Sequence, residues 1–307
     1  MGLIETLMAR EYNRHQLEEK LMYTWRHFVW LAICAVFIAL CFLFFRKWKP
    51  VKLSTFLLIG AIFLFAQELI QMMGMMHFLP YAKGHPLEGQ YAPYFDPADF
   101  PLHLCSIQFF VMFIASRQKD EKKRKKYLAF FYPTSIFGAS MALLMPNIFT
   151  LKPDAGWIDL CFISPIYYSF WLIHSFLLFC GLYIATDTKE VQFHFKDSFY
   201  GIFAMLMLGC ASLMVNSAFT VVNRDPDNKL LPIEIVHNAD LFFTTDIPIG
   251  GIVITKKWQW YIYFLILAVS IFAVFFLFYL PFYIIDHRKA VLEKGKETEN
   301  AKNQTDL

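Results

Sequence analysis

Seven apolar runs, each bounded by charged or turn-forming residues, divide the chain at about 28–45, 55–78, 101–116, 127–145, 160–185, 198–222 and 258–285. A helix rising 1.5 Å per residue needs roughly 20 such residues to cross ~30 Å of hydrocarbon. The pattern therefore predicts an all-α membrane protein, a seven-transmembrane-helix bundle over residues 28–285. Before it, residues 1–27 space Ile4, Leu7, Leu17, Leu21 and Trp25 among Glu, Arg and Lys at helical intervals, which predicts an amphipathic segment lying on the membrane surface. After it, residues 286–307 are rich in Glu, Lys, Asn and Gln and read as a disordered tail.

Charge orients the bundle. Lys and Arg cluster after the first, third and fifth runs and in the tail, most densely at Arg117, Lys119 and Lys122 to Lys126, whereas the loops after the second and fourth runs hold only Lys83 and Lys152. The positive-inside rule then places the N-terminus outside and the C-terminal tail in the cytoplasm of a cell-membrane protein. The basic loop 117–126 is also a candidate contact for anionic lipid.

Polar residues within the runs mark what the bundle encloses. Glu68 lies near the middle of the second run, where a charged carboxylate costs about 2.5 to 3.5 kcal/mol, so it must carry a proton, find a partner or face a polar cavity. Gln71 shares its face. In the third run Pro101 predicts a helix start, with His103 and then Cys105 following; Cys105 and Gln108 share a face, but His103 and Cys105 lie about 200° apart around the axis. The fourth run carries Gly138, Ala139, Ser140 and Ala142, small enough for close helix approach, and ends in Pro146-Asn147. The fifth holds His174 with Tyr167 on one face and a kink expected at Pro165, and the sixth a stripe of Ser212, Asn216, Thr220 and Asn223. The first and last runs are nearly free of polar groups. Spans two to six thus surround a polar cavity, and spans one and seven lie outside it.

Composition narrows the classes. With 57% hydrophobic residues and a mean hydropathy of +0.44, the chain has too much apolar surface for a soluble domain. A net charge of +3 implies no nucleic-acid partner. The six cysteines form no CxxC pair and no Cys/His ligand spacing, so neither a metal nor another cofactor is expected.

The chemistry such a cavity supports is acyl transfer on membrane phospholipids. Cys105 would attack an ester with His174 as base, His103 would orient or stabilise the oxyanion, and Gln108 or Asn216 could donate to it. Glu68, Gln71, Asn147, Tyr167 and Asn223 would line the substrate cavity. Three other readings stay open: a disulfide between Cys105 and Cys161, a proton-coupled transporter or channel using Glu68 and His174, and a non-catalytic lipid-binding or assembly protein.

Pro101-Leu102-His103-Leu104-Cys105, the run from Gly138 to Pro146, His174 and Trp258-Gln259-Trp260-Tyr261-Ile262 together resemble YwaF-type bacterial membrane proteins, themselves similar to a vertebrate ether-phospholipid acyltransferase family. The resemblance covers about residues 55–285 and implies a seven-span lipid acyltransferase in which His103 and His174 are the motif histidines. Where the vertebrate relatives place a cysteine directly before the motif histidine, this chain has Leu102; Cys105 matches the bacterial pattern. The asparagine-tyrosine element expected before the last span is altered around Asn238 to Phe243.

Overall fold

The computed structural model describes residues 19–47, 51–75, 77–80, 86–87, 89–94, 103–146, 149–150, 162, 165–186, 190–219, 222–224, 230–235 and 256–305. Among them are seven α-helices: α1 (Trp25–Lys47), α2 (Leu53–Met75), α3 (Leu104–Arg117), α4 (Glu121–Leu144), α5 (Pro165–Thr186), α6 (Ser198–Phe219) and α7 (Lys257–Thr305). Six are long and apolar enough to cross a membrane, and α3, at 14 residues, is shorter. Most of the amphipathic segment expected over 1–27 lies outside the described residues.

Several boundaries differ from the hydropathy reading, each for a local reason. The basic stretch before the fourth apolar run is itself helical, because the Asp120 side chain accepts the Lys122 N–H at 2.8 Å and caps the first turn. Pro165 starts α5 rather than kinking it: its missing N–H has no partner to lose in a first turn. α3 begins at Leu104, three residues later than expected; His103 is its N-cap, in extended conformation, and its carbonyl accepts the first helical bond from Ile107. The tail read as disordered continues α7 to Thr305, since extending an existing helix avoids the cost of nucleating one.

The helices alternate in direction. α1, α3 and α5 end, and α2, α4 and α6 begin, at one end of the bundle, where α7 passes Asp286. Glu190, after α5, accepts the Leu53 N–H at 2.8 Å and faces Arg124 at 3.7 Å; Lys125 pairs with Asp197 at 2.6 Å; and His194 meets Asp286 at 2.9 Å. Two cations of the basic loop are thus engaged within the chain, and Lys126 lies 4.8 Å from the Tyr200 ring, while Lys122 and Lys123 stay exposed. The other end carries three short antiparallel ribbons: β1 (Glu19–Lys20) with β4 (Phe149–Thr150), β2 (His77–Pro80) with β3 (Tyr91–Tyr94), and β5 (Val222–Arg224) with β6 (Leu230–Ile235). At that end His27 closes α1 onto α4 by donating from Nε2 to the Leu143 carbonyl at 2.8 Å, while its Nδ1 accepts the Tyr23 N–H. Trp30 stacks on Trp171 beside it, at 5.6 Å.

The core runs through α2, α3, α4 and α5, with α6 and α7 packed on α4. Glycine sets the closest approaches. A Cβ at Gly181 of α5 would strike Ser135 and Ile136 of α4, and one at Gly201 of α6 would lie 2.8 Å from the Ala129 carbonyl oxygen.

Prolines inside α4 and α7 shape the α4–α7 contact. Pro133 has no N–H for the Ala129 carbonyl, and the Tyr279 hydroxyl of α7 donates to that oxygen at 3.0 Å. In return, the Tyr132 hydroxyl of α4 donates to the Phe278 carbonyl at 3.0 Å, one residue from the carbonyl that Pro281 leaves without its helical partner. The two tyrosine rings meet edge-on at 5.7 Å. Tyr279→Phe should therefore lower unfolding stability in detergent by about 1–3 kcal/mol, the cost of an unpaired buried carbonyl. Tyr283→Phe, on the exposed side of α7, should leave it unchanged; equal stability of the two variants would refute this account.

Candidate functional site

The cluster that brings sequence-predicted residues together lies where α2, α3 and α4 meet. α3 presents two faces. Ser106 and Phe109 turn toward α2: the buried Ser106 hydroxyl donates to Glu68 Oε1 at 2.9 Å, and the Phe109 ring lies 5.3 Å from Phe65. Cys105 and Gln108 turn toward α4: a Cβ on Gly138 would lie 3.6 Å from the Cys105 sulfur, and Gln108 Nε2 donates to Thr134 Oγ1 at 3.0 Å. Glu68 is within electrostatic range of the Cys105 thiol. The mid-membrane carboxylate has thus found a partner, a serine hydroxyl.

Depth follows from helix geometry. Twelve residues separate Cys105 from Arg117 at the basic end of α3, about 18 Å along the axis. By the same measure Glu68 stands about 22 Å from Leu53, and Thr134 about 10 Å from Tyr127, where the apolar run of α4 begins. All three lie within the ~30 Å hydrocarbon layer, Cys105 and Glu68 nearer the end opposite the basic loop. The layer is one helix away from lipid, because Leu69 and Phe110, next in sequence or nearly so, are 44% and 48% exposed.

Gln108 is fixed by what surrounds it. Its amide nitrogen donates to Thr134 Oγ1 and to the Leu104 carbonyl at 3.2 Å, and Thr134 spends its own hydrogen on the Phe130 carbonyl at 2.6 Å. Both N–H groups are taken, so Gln108 is not the oxyanion donor expected from the sequence; its carbonyl oxygen is fully buried with no hydrogen-bond partner among the described residues.

The other expected residues lie apart from this cluster. His174, on α5, donates from Nδ1 to the Phe170 carbonyl at 2.7 Å, which leaves Nε2 as its lone-pair nitrogen; no hydrogen bond joins it to Cys105 or Glu68 among the described residues. His103 is exposed at the α3 N-cap, without a side-chain capping bond. Tyr167 packs beside Trp171 and Trp30, Gln71 is half-buried, and Asn216 is buried well along α6. Asn147, Cys161 and the side chain of Asn223 lie outside the described residues. Cys105 is a free thiol among the described residues, and Cys161, its partner in the disulfide considered from the sequence, lies outside them. Among the described residues no group of three or more His, Cys, Asp or Glu could hold a metal ion.

With this geometry in hand, one comparison is decisive. A family model, described as the TMEM164 family, matches residues 22–279, most of the chain and all seven helices up to the middle of α7. The chain belongs to the TMEM164 family. No curated protein and no solved structure matches it. The match supports a multi-pass membrane protein, and for this TMEM164-family member the fold shows six full-length apolar helices and one short one.

Sequence reasoning missed Ser106 and Thr134. A lone hydroxyl in an apolar helix ordinarily bonds its own backbone, as Ser116 and Ser135 do here with the Phe113 and Tyr132 carbonyls. Ser106 departs from that habit because Glu68 faces it from α2, and the only sequence signal was its place beside Cys105.

The Gln108–Thr134 contact makes a stability prediction. Thr134→Val should cost about 1–3 kcal/mol, because it strands a buried amide donor, whereas Gln108→Leu removes the donor together with the orphaned oxygen and should cost less than about 1 kcal/mol. Thermal unfolding in detergent ranks the two, and the reverse order would refute the assignment.

Proposed function

We propose that this chain transfers acyl groups between membrane phospholipids, through a covalent acyl-protein intermediate formed at the N-terminal end of α3. The observation that carries the reading is the Ser106–Glu68 hydrogen bond beside a free Cys105 thiol, well inside the membrane. A carboxylate in contact with a hydroxyl and near a thiol is a base placed beside two candidate nucleophiles. The resemblance to lipid acyltransferases through Pro101 to Cys105 supports the same chemistry.

In the first half-reaction a nucleophile attacks the carbonyl carbon of a phospholipid ester, its proton passes to Glu68, and the ester C–O bond breaks as the leaving alkoxide takes that proton. In the second half, an acceptor hydroxyl attacks the acyl-protein and restores the nucleophile. Glu68 stands closer to this role than His174, whose Nε2 would serve a second polar group across α5. His103, at the mouth of α3, is placed to contact the headgroup region. Gln71, Tyr167 and Asn216 would line the approach of the acyl chain. Positive-inside charge puts the basic end in the cytoplasm of the cell membrane and the reacting layer nearer the outer leaflet. The exposed Arg117, Lys119, Lys122 and Lys123 are loop cations placed to meet anionic lipid.

The test is a comparative lipid profile of cells expressing the wild type or Glu68→Gln at matched protein levels. A class-selective change in acyl composition, present with the wild type and reduced at least tenfold in the variant, is the expected outcome. Identical profiles, together with a proton flux in liposomes that Glu68→Gln abolishes, would replace acyl transfer by transport.

A further inference from the structure

The sequence points to Cys105 as the attacking group, but the two neighbouring side chains stand in different surroundings. The Cys105 sulfur faces the bare backbone of Gly138, and the thiol makes no hydrogen bond among the described residues. The Ser106 hydroxyl points the other way, directly at Glu68 Oε1, 2.9 Å away, with both residues buried. A nucleophile within hydrogen-bond reach of its base is the signature of an activated hydroxyl. We propose that Ser106 is the nucleophile and Glu68 its general base, so that the acyl group is carried as an oxyester on α3 while Cys105 packs against α4. This inference rests on the acyl-transfer reading and names the residue that performs it.

A second feature of the site agrees. Ser106 lies in the first turn of a 14-residue helix, where backbone N–H groups have no carbonyl one turn back. The N–H groups of Leu104, Cys105 and Ser106 have no carbonyl within α3 to bond, since the residues one turn back precede the helix. These donors, the N–H of Ser106 itself among them, cluster at the positive end of the helix dipole beside the Ser106 Cβ, where the oxyanion of a tetrahedral intermediate would form. The Gln108 amide, with both hydrogens committed, leaves that task to the backbone.

The bookkeeping of bonds is closed and redox-neutral. As Oγ bonds to the ester carbonyl carbon, the Ser106 proton moves to Glu68; collapse of the intermediate breaks the lipid C–O bond, and Glu68 returns the proton to the leaving glycerol oxygen. A lysophospholipid hydroxyl then enters by the reverse sequence, losing its proton to Glu68 and regenerating the Ser106 hydroxyl. The substrate class is therefore an ester phospholipid as donor and a lipid hydroxyl as acceptor.

The experiment uses the full chain reconstituted in vesicles of phosphatidylethanolamine and phosphatidylglycerol carrying a radiolabelled acyl chain, quenched in acid and treated with neutral hydroxylamine, which cleaves thioesters and spares oxyesters. The expected result is protein-bound label that resists hydroxylamine, survives Cys105→Ala and falls to background in Ser106→Ala. Ser106→Cys guards against a folding defect: label in that variant should become hydroxylamine-sensitive. Label released by hydroxylamine from the wild type and lost in Cys105→Ala would overturn the assignment to Ser106 while leaving acyl transfer standing. Transfer that proceeds undiminished in Ser106→Ala would overturn it as well. Absence of any acyl transfer by the wild type would instead overturn the acyl-transfer reading beneath it.

Discussion

Inside hydrocarbon no water is present to satisfy a carbonyl that the helix leaves unpaired, and this constraint governs how α4 and α7 meet. Pro133 withdraws one hydrogen bond from the middle of α4, and Tyr279 replaces it from α7; Tyr132 makes the reciprocal bond to the Phe278 carbonyl, beside the one that Pro281 leaves without its helical partner. The exchange fixes the two helices in register, because shifting either by one residue would separate both hydroxyls from their carbonyls. Phe193 completes the junction, stacked 5.4 Å from Tyr132 and edge-on to Tyr279 at 5.9 Å, and ties it to the ion pairs at the basic end. The position of α4 is thereby held from one side, and α3 and α5 pack on its other faces.

The ion pairs at the basic end do different work. Arg124 and Lys125 sit in the first two turns of α4, and Glu190 and Asp197 lie in the connection between α5 and α6, so each pair links elements distant in the chain. At an interface their Coulomb energy is modest. Their effect is geometric. Asp197 also accepts the His194 N–H at 2.7 Å, and His194 reaches Asp286, so the connection, the start of α4 and the exit of α7 form one chain of polar contacts. That is also why the basic loop, a candidate contact for anionic lipid, presents fewer free cations than its composition suggests.

How much of this the sequence discloses depends on the range of the interaction. Hydropathy places the helices within a few residues, because transfer into hydrocarbon is a local property summed along the run. Boundaries fail where a single polar contact decides them, as with the Asp120 cap, or where proline has two possible roles, as with Pro101 and Pro165. The polar character of Glu68, Cys105 and Gln108 is plain in the sequence, as is their common depth. Which of them meet is not, since that is set by the rotation of α3 between α2 and α4. Reading Cys105 and Gln108 as sharing a face was enough to group those two, but Ser106 is the residue that faces Glu68, and only packing decides that. His174 shows the converse: an ionisable group at mid-helix drew attention, and the Phe170 carbonyl one turn back accounts for its buried N–H.

The length of α3 connects fold to chemistry. Fourteen residues give about 21 Å, roughly 9 Å short of the hydrocarbon thickness, so with Arg117 at one interface its N-terminus stops inside the membrane. A full-length helix would have buried those first-turn N–H groups in intrahelical bonds and placed the helix end in the headgroup layer. A short one places its first turn, and with it the Ser106–Glu68 pair, inside the hydrocarbon layer rather than among the headgroups. Glu68 can remain at that depth because Ser106 meets it, and Ser106 can meet it because α3 begins where it does. The start of α3 and the partner of the buried carboxylate are therefore one feature, joined by the Ser106–Glu68 hydrogen bond.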